Sequence, residues 1–288
     1  MIVVVGGGPA GFFGALAARE QDPGRRVVLL EKGGDVLRKV RISGGGRCNV
    51  TSGLSEPSEL AAKALLGAFH RFGAVETRSW FIERGVALKT EADGRVFPVS
   101  DSSATIVACL QDEARRLGVT IRISCGAAAI AHTGNRFELE LTDGSTLMAD
   151  RVLLATGGSG HRLDAGLGHT IVPPVPSLFT FNIEDPLLEG LAGVSHPEVK
   201  VRALGPGLPR KGLEQTGPVL VTHWGLSGPA VLKLSAWGAR HLHDCGYRFR
   251  LLLDWKLDLS REDLLGTLKS WAGEHPRKQV SHSCPVEL

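Results

Sequence analysis

The amino-acid sequence predicts an α/β fold in which a parallel sheet flanked by helices is followed by a β-rich part with helices of its own. Three observations carry this reading. Residues 1–31 run as a short apolar stretch, a helix-type stretch and a second apolar stretch, the rhythm of a βαβ unit. From Val119 the pattern changes to short strand-like runs joined by turns containing Gly and Asn or Asp. Pro173, Pro174 and Pro176 then mark a domain crossing, so the expected domains are residues 1–172 and 173–288.

Taken in order, Ile2 to Val5 is a buried-type strand that breaks at Gly6, Gly7 and Gly8. Pro9 to Glu20, rich in Ala and Leu, reads as a helix, and Arg26 to Leu30 as a second buried strand ending in Glu31. Pro57 to Phe72 and Ala74 to Arg84 read as two helices, Val86 to Lys89 and Arg95 to Val99 as strands about a turn, and Ser102 to Leu117 as a helix. Val119 to Ser124, Ala127 to His132, Phe137 to Leu141 and Thr146 to Ala149 read as an antiparallel meander, because Gly134, Asn135 and Gly144 tolerate the positive φ of hairpin turns. Arg151 to Ala155 returns as a buried strand. In the second part, Ser177 to His223 is strand-like, Pro229 to His243 is a helix with Ser227 as its N-cap, and Tyr247 to Leu253 is a strand. Ser260 to Ala272 is a last helix, with Asp263 in an approximate capping-box position.

Composition narrows the classes. The 288 residues are 43% hydrophobic and 22% charged, enough apolar content for a buried core, which excludes a disordered chain or a coiled coil. The 37 glycines are close to twice the roughly 7% typical share. They cluster rather than recur at every third position, so collagen is excluded and close approach of backbone to a ligand is indicated. A net charge of +3, from 33 Lys and Arg against 30 Asp and Glu, argues weakly against a dedicated nucleic-acid binder while leaving room for a mild basic patch that meets RNA. Met1 to Ala18 lacks the charged start of a signal peptide and carries too many glycines for a span, so no membrane association is expected. The five cysteines have neither CxxC nor metal-ligand spacing, which fits reduced thiols in a cytoplasm.

Gly6, Gly8 and Gly11 form GxGxxG after a strand and at the mouth of a helix that begins Pro9-Ala10. The first glycine permits the tight turn, the second lets backbone approach a pyrophosphate, and the third brings helix against strand while helix N–H groups face the anion. Glu31, at the end of the next strand, is placed to accept hydrogen bonds from the ribose hydroxyls of an adenosine, with Lys32 beside it. The unit is a dinucleotide grip shared by FAD and NAD, and Glu31 argues only against a 2′-phosphate. Lys39 to Thr51 then places Gly44, Gly45 and Gly46 between basic residues. Successive N–H groups of such a loop form an anion-binding concavity to which Arg41 or Arg47 adds charge, and an NAD-only dehydrogenase has no need of it.

The run Lys39-Val40-Arg41-Ile42-Ser43-Gly44-Gly45-Gly46-Arg47-Cys48-Asn49-Val50-Thr51, with Gly94 to Ser100, Leu153 to Gly158 and Thr222 to Ala230 in the same order, resembles the HI0933-like family of bacterial FAD-dependent oxidoreductases. The resemblance implies a Rossmann-like FAD-binding domain of the glutathione-reductase type with a β-meander, plus a β-rich insert domain with helices. It implies that Ser43 to Asn49 hold the flavin side of FAD, that Ala127 offers backbone hydrogen bonds to adenine, and that Ala155-Thr156-Gly157 is a turn of small residues ending a strand against the cofactor. Cys48 has no second cysteine close in sequence and reads as a small residue packed by the cofactor, with redox activity as the alternative. NAD(P)H is expected as a transient reductant, since one GxGxxG leaves no separate nicotinamide domain. Family members are connected with reduction of carbon–carbon double bonds, in a ribosomal RNA uridine and in steroid-like compounds.

Outside the cofactor domain, His223 and Ser227 in the Gly225/Gly228 turn are candidates for substrate contact, against a structural turn and cap. Pro229 replaces the last glycine of a nucleophile elbow, and His241 and His243 lack the i, i+4 spacing of a metal pair, so no metal is expected. Family members are longer, and nothing after Pro276 resembles their closing segment. The expectation is a gene fragment or frameshift product lacking the last strand and helix of the cofactor domain, ahead of a short form completed by another chain. The competing functional readings are a nucleotide-binding remnant or regulatory module without turnover, and an NAD-dependent dehydrogenase.

Overall fold

A computed structural model describes residues 1–53, 65–159, 163, 166–279 and 286. The chain divides into two compact units, Met1–Val172 and Pro173–Leu288.

In the first unit β1 (Ile2–Val5), α1 (Pro9–Gln21) and β2 (Val27–Leu30) form the opening βαβ motif. They are followed by α2 (Arg38–Ile42), a 3-10 turn at Ser43–Gly46, β3 (Thr51–Ser52), α3 (Leu66–Arg71), α4 (Ala74–Glu83), β4 (Leu88–Thr90), β5 (Arg95–Pro98) and α5 (Ser103–Arg116). The first part of the helix expected over Pro57 to Phe72 lies outside the described residues. Next come β6 (Thr120–Arg122), β7 (Ala127–Thr133), β8 (Arg136–Leu141), β9 (Thr146–Ala149) and β10 (Arg151–Leu154).

The main sheet is parallel in the order β10-β1-β2-β6. Contrary to expectation, the Val119 to Ser124 strand belongs to this sheet as β6 and not to the meander, which is β7-β8-β9 alone. The reason is the α5 crossover, which returns the chain alongside β2; a right-handed crossover delivers a parallel strand. Residues of β1 and β2 alternate between two layers, as a period of two requires. Val4, Val27 and Leu29 pack with Phe12, Leu16, Trp80, Ile106 and Leu110 of the helices, whereas Val3, Val5, Val28 and Leu30 pack with Ile130, Leu139 and Leu141 of the meander. Each such buried side chain contributes about 1.5–3 kcal/mol, which clamps the carboxyl ends of β1 and β2 between two layers.

The helix layer carries a charge cluster built around the buried Glu113. Glu113 of α5 accepts from Arg84 Nε (2.9 Å) and from Arg116 Nε and Nη2 (both 2.8 Å), and Arg84 also lies over the Trp80 ring and pairs with Glu20. The Arg116 guanidinium, and after it Arg84, hold the Glu113 carboxyl below its ordinary range against the opposing effect of burial.

The second unit has β11 (Phe181–Asn182), β12 (Ser195–Leu204), β13 (Leu213–Thr222), β14 (Gly225–Ser227), α6 (Pro229–Trp237), α7 (Ala239–Asp244), β15 (Arg250–Asp254) and α8 (Arg261–Glu274). Its antiparallel sheet runs β11-β14-β13-β12-β15, with Val199, Val201, Val219, Val221 and Leu226 packed on Ala230, Val231, Leu234 and Leu242. Two expectations change. The helix over Pro229 to His243 is two helices broken at Gly238, where a Cβ would lie 2.4 Å from Leu213 Cδ1. Its N-cap is Gly228, not Ser227, which is the last residue of β14; at φ +101 Gly228 sits so close to β13 that a Cβ would meet the Pro218 oxygen at 2.7 Å. The strand expected from Tyr247 begins at Arg250, because Tyr247 takes φ +58 and closes α7. Ser260 caps α8 as expected, accepting from Asp263 N–H (3.1 Å).

Because the folded Glu113 pKa is depressed, its contribution is complete above the unfolded value of about 4.3 and is lost as pH falls through the lower folded value. Glu113→Gln should therefore lower stability at neutral pH by about 1–2 kcal/mol. In urea titrations across the acid range, the gap to the parent should close below that window; a gap that stays constant would refute the ion-pair account.

Candidate functional site

The site is built where the parallel strands end. Gly6 follows β1 at φ +117, and its N–H donates to the Leu30 carbonyl of β2 (2.8 Å). A Cβ on Gly6 would lie 2.3 Å from the Ala155 carbonyl oxygen, and one on Gly11 1.9 Å from the Gly6 carbonyl oxygen. Both glycines are required by backbone meeting backbone. Gly8 is different: its φ is −83, and nothing lies within 4 Å of its Cβ position. The space in front of Gly8 opens at the N-terminus of α1, where Pro9 and Ala10 are exposed. That is the cradle an anion needs, with helix N–H groups directed into it.

Glu31 leaves β2 with both carboxylate oxygens on backbone. Gly7 N–H donates to Oε2 (2.8 Å) and Gly33 N–H to Oε1 (2.7 Å). A carboxylate offers about four lone-pair sites, so two remain for hydroxyl donors. Beside it a cavity of about 220 Å³ is lined by Gly6, Glu31, Lys32, Ala127, Ala128 and Thr156. This is below the roughly 300–1,000 Å³ of a complete small-molecule site, a size for one part of a dinucleotide. At its wall the β7–β8 register shifts between Ala127 and Ala129, so Ala128 has no partner in the ladder and presents its backbone at a bulge. Ala128, Gly126 and Thr142 also line this cavity and were not singled out by sequence reasoning; the small-residue run Gly126 to Ala129 is the signal that was available.

A second cavity, about 330 Å³, is lined by Pro9, Lys39, Ser43, Cys48 and Asn49 above an apolar floor that includes Phe13, Phe81 and Leu110. One turn thus serves both cavities, through Gly6 on one and Pro9 on the other. The loop between Ser43 and Asn49 has Gly44, Gly45 and Gly46 at φ +55, +68 and +86. Ser43 Oγ donates to Val40 O (2.9 Å), Cys48 N–H to Ser43 O (3.0 Å), and the Asn49 amide, oriented to satisfy its neighbours, to Thr51 O (2.9 Å) and Val96 O (3.3 Å). Burial pushes the Cys48 thiol up, which disfavours the thiolate that redox chemistry requires. The two arginines expected to add charge for an anion are already paired, Arg41 with Asp35 (3.1 Å) and Arg47 with Glu91 and Asp101.

The third strand end completes the arrangement. Ala155 N–H donates to Val5 O (2.8 Å), Thr156 enters the smaller cavity, and Gly157 turns the chain at φ +65. A Cβ on Gly157 would lie 3.6 Å from Lys39 Nζ, which brings this turn to the ammonium that lines the larger cavity. In the second unit, exposed His223 occupies the β13–β14 turn and Ser227 is half-buried. A cavity of about 810 Å³ there is lined by Phe181, Leu188, His196, Phe249, Leu251 and Trp255 among others, and by neither His223 nor Ser227. Among the described residues no group of His, Cys, Asp and Glu is arranged to hold a metal ion, and no helix is long and apolar enough to cross a membrane.

Residues 1–211 match the HI0933-like protein Rossmann domain, and residues 175–286 match the HI0933-like protein barrel and H2TH domain. The chain belongs to the HI0933-like family. Among curated HI0933-like relatives, a 3-dehydro-bile acid delta(4,6)-reductase of Clostridium scindens is 32% identical over 261 residues, 84% of this chain and 61% of the relative. A ribosomal RNA dihydrouridine synthase of Escherichia coli is 32% identical over 254 residues, 82% and 60% respectively, and one of Haemophilus influenzae is 28% identical over 252 residues, 81% and 60%. The chain spans about three-fifths of the length of the curated relatives it matches.

The three glycines of this HI0933-like turn should separate under substitution. Gly6→Ala and Gly11→Ala should each destabilise the fold by at least about 1–3 kcal/mol through overpacking and backbone strain, read as a lower denaturation midpoint. Gly8→Ala should cost under about 1 kcal/mol, the difference between Gly and Ala at an N-cap.

Proposed function

We propose that this chain binds FAD along the two cavities that share the Gly6–Gly11 turn and that it serves a flavin-dependent reduction. The observation that carries the reading is the meeting of Gly6, Glu31, Lys32, Ala127 and Thr156 at one cavity and Pro9, Lys39, Ser43 and Asn49 at the other. The cradle before Gly8 suits a pyrophosphate, the spare acceptor capacity of Glu31 suits ribose hydroxyls, and the bulged backbone at Ala127 and Ala128 suits an adenine edge. The larger cavity, with an apolar floor and polar rim, suits a flavin ring system. Lys39 brings a positive charge to that rim, where it favours added electron density. FAD when bound supplies the redox reactivity, and the protein supplies binding, orientation and electrostatics.

NAD(P)H is proposed as the reductant and a carbon–carbon double bond as the acceptor. The support is chemical: the relatives' names denote a delta(4,6)-reductase and dihydrouridine synthases, both of which describe addition of hydrogen across such a bond. A uridine in ribosomal RNA and a steroid-like compound are the two acceptor classes to test.

Purified chain incubated with FAD and freed of excess should retain a flavin absorbance that bleaches when NADH or NADPH is added anaerobically. A chain that binds no FAD would refute the flavin reading, retained NAD would favour a dehydrogenase, and bound flavin that neither nucleotide reduces would favour a binding module. Gly8→Ala should fold yet lose FAD, since the added methyl occupies the approach to the pyrophosphate. Glu31→Ala should weaken FAD binding by about 1–3 kcal/mol, that is about five- to 150-fold, and should also reduce the stability of the free chain, because Gly7 N–H loses its acceptor.

A further inference from the structure

We infer that Arg47 is a positioning residue that locks the glycine loop in shape by facing away from the cofactor, into an acidic pair across the ring of Phe97. The inference rests on the flavin reading above. Gly44, Gly45 and Gly46 occupy the left-handed region in succession. Glycine reaches that region without steric cost, but it also has the most freedom to lose on ordering. A run of three therefore needs anchors outside itself to persist as a defined surface.

Arg47 supplies such an anchor. Its guanidinium carbon lies 3.9 Å from the centre of the buried Phe97 ring, and a Cβ on Gly44 would lie 2.9 Å from Phe97 Cε1, so one ring touches the start of the loop and carries its end. Arg47 Nε donates to Asp101 Oδ1 (2.8 Å), and Nη2 reaches both Asp101 and Glu91. Glu91 lies between β4 and β5 and Asp101 lies before α5, so one side chain ties the loop to two other segments. A planar, forked cation over an aromatic face with two carboxylates at its edge is the arrangement in which Arg and Lys are least interchangeable.

The charges around Arg47 cancel. Glu91 also pairs with Arg95 (3.2 Å), Asp101 with Lys89, and Arg95 with Asp93 (2.7 Å), which sets three cations against three carboxylates. A neutralised guanidinium does not draw a phosphate, whereas one that holds the loop pre-organises whatever binds there.

The two roles predict opposite responses to removal of the acidic pair. If Arg47 is a latch, Arg47→Ala should weaken FAD binding about tenfold, and Glu91→Gln with Asp101→Asn should weaken it by a similar factor. Combining all three should add less than about threefold, because they break one unit. Arg47→Lys should restore only part of the affinity. A direct anion contact predicts instead that neutralising Glu91 and Asp101 frees the guanidinium and leaves binding equal or tighter, which would overturn the proposal. Amide hydrogen exchange in the free chain gives an independent readout: residues 43–49 should exchange faster in Arg47→Ala and in the acidic-pair variant, with β1 and β2 still protected. Unchanged exchange over 43–49 would equally overturn it. Because the exchange measurement needs no ligand, a chain that fails to bind FAD sinks the flavin reading while the latch is still decided.

Discussion

Two contacts between backbone atoms that leave no room for a side chain set the terms for everything else in the first unit. The Gly11 Cα faces the Gly6 carbonyl, and the Gly6 Cα faces the Ala155 carbonyl. Through them the start of α1 and the ends of β1 and β10 are held at a separation that no larger residue permits, and Gly6 N–H joins the end of β2 to the same point. The glycines at these places do not loosen the chain. They remove the Cβ atoms that would otherwise hold three elements apart, and the layers of helix and meander hold the result rigid.

From that junction the polar features fall into place with little further adjustment. Glu31 is one residue past β2, so it reaches back to Gly7 and forward to Gly33 while still bordering a cavity. Lys39 and Ser43 follow from the short helix α2, and the loop after it is tied down through Phe97, Glu91 and Asp101. The charged groups nearest the glycines are thus sorted: Arg41 and Arg47 are spent on carboxylates, and Lys39 faces the larger cavity.

What could be read in advance follows the range of the interaction. Gly6, Gly8, Gly11 and Glu31 lie within one βαβ unit, so their spacing alone conveys their geometry. Val119 to Ser124, the strand after α5, reads as part of the meander because it carries no mark of its partner; pairing with β2 comes from the crossover and not from any local residue preference. Ser227 has the better N-cap chemistry, yet Gly228 takes the position because the close approach of β13 outweighs a capping hydrogen bond. The bulge at Ala128 arises only when β7 pairs with β8, and the neutralisation of Arg47 depends on acids more than forty residues away. In each case the missing information was long-range.

The pairing of β1 with β10 has a consequence for biosynthesis. Ile2 lies opposite Arg151, and the Met1 amino group pairs with Asp150. β1 therefore waits for almost the whole first unit to be made before its partner β10 exists. At about 5–20 residues per second, that is a delay of roughly 8–30 seconds. Throughout it an apolar strand has one unpaired edge in a crowded cell, a template for association with other nascent chains. The neighbour that ends the wait also delivers Ala155 against Gly6, so the glycine junction is among the last parts of this unit to form.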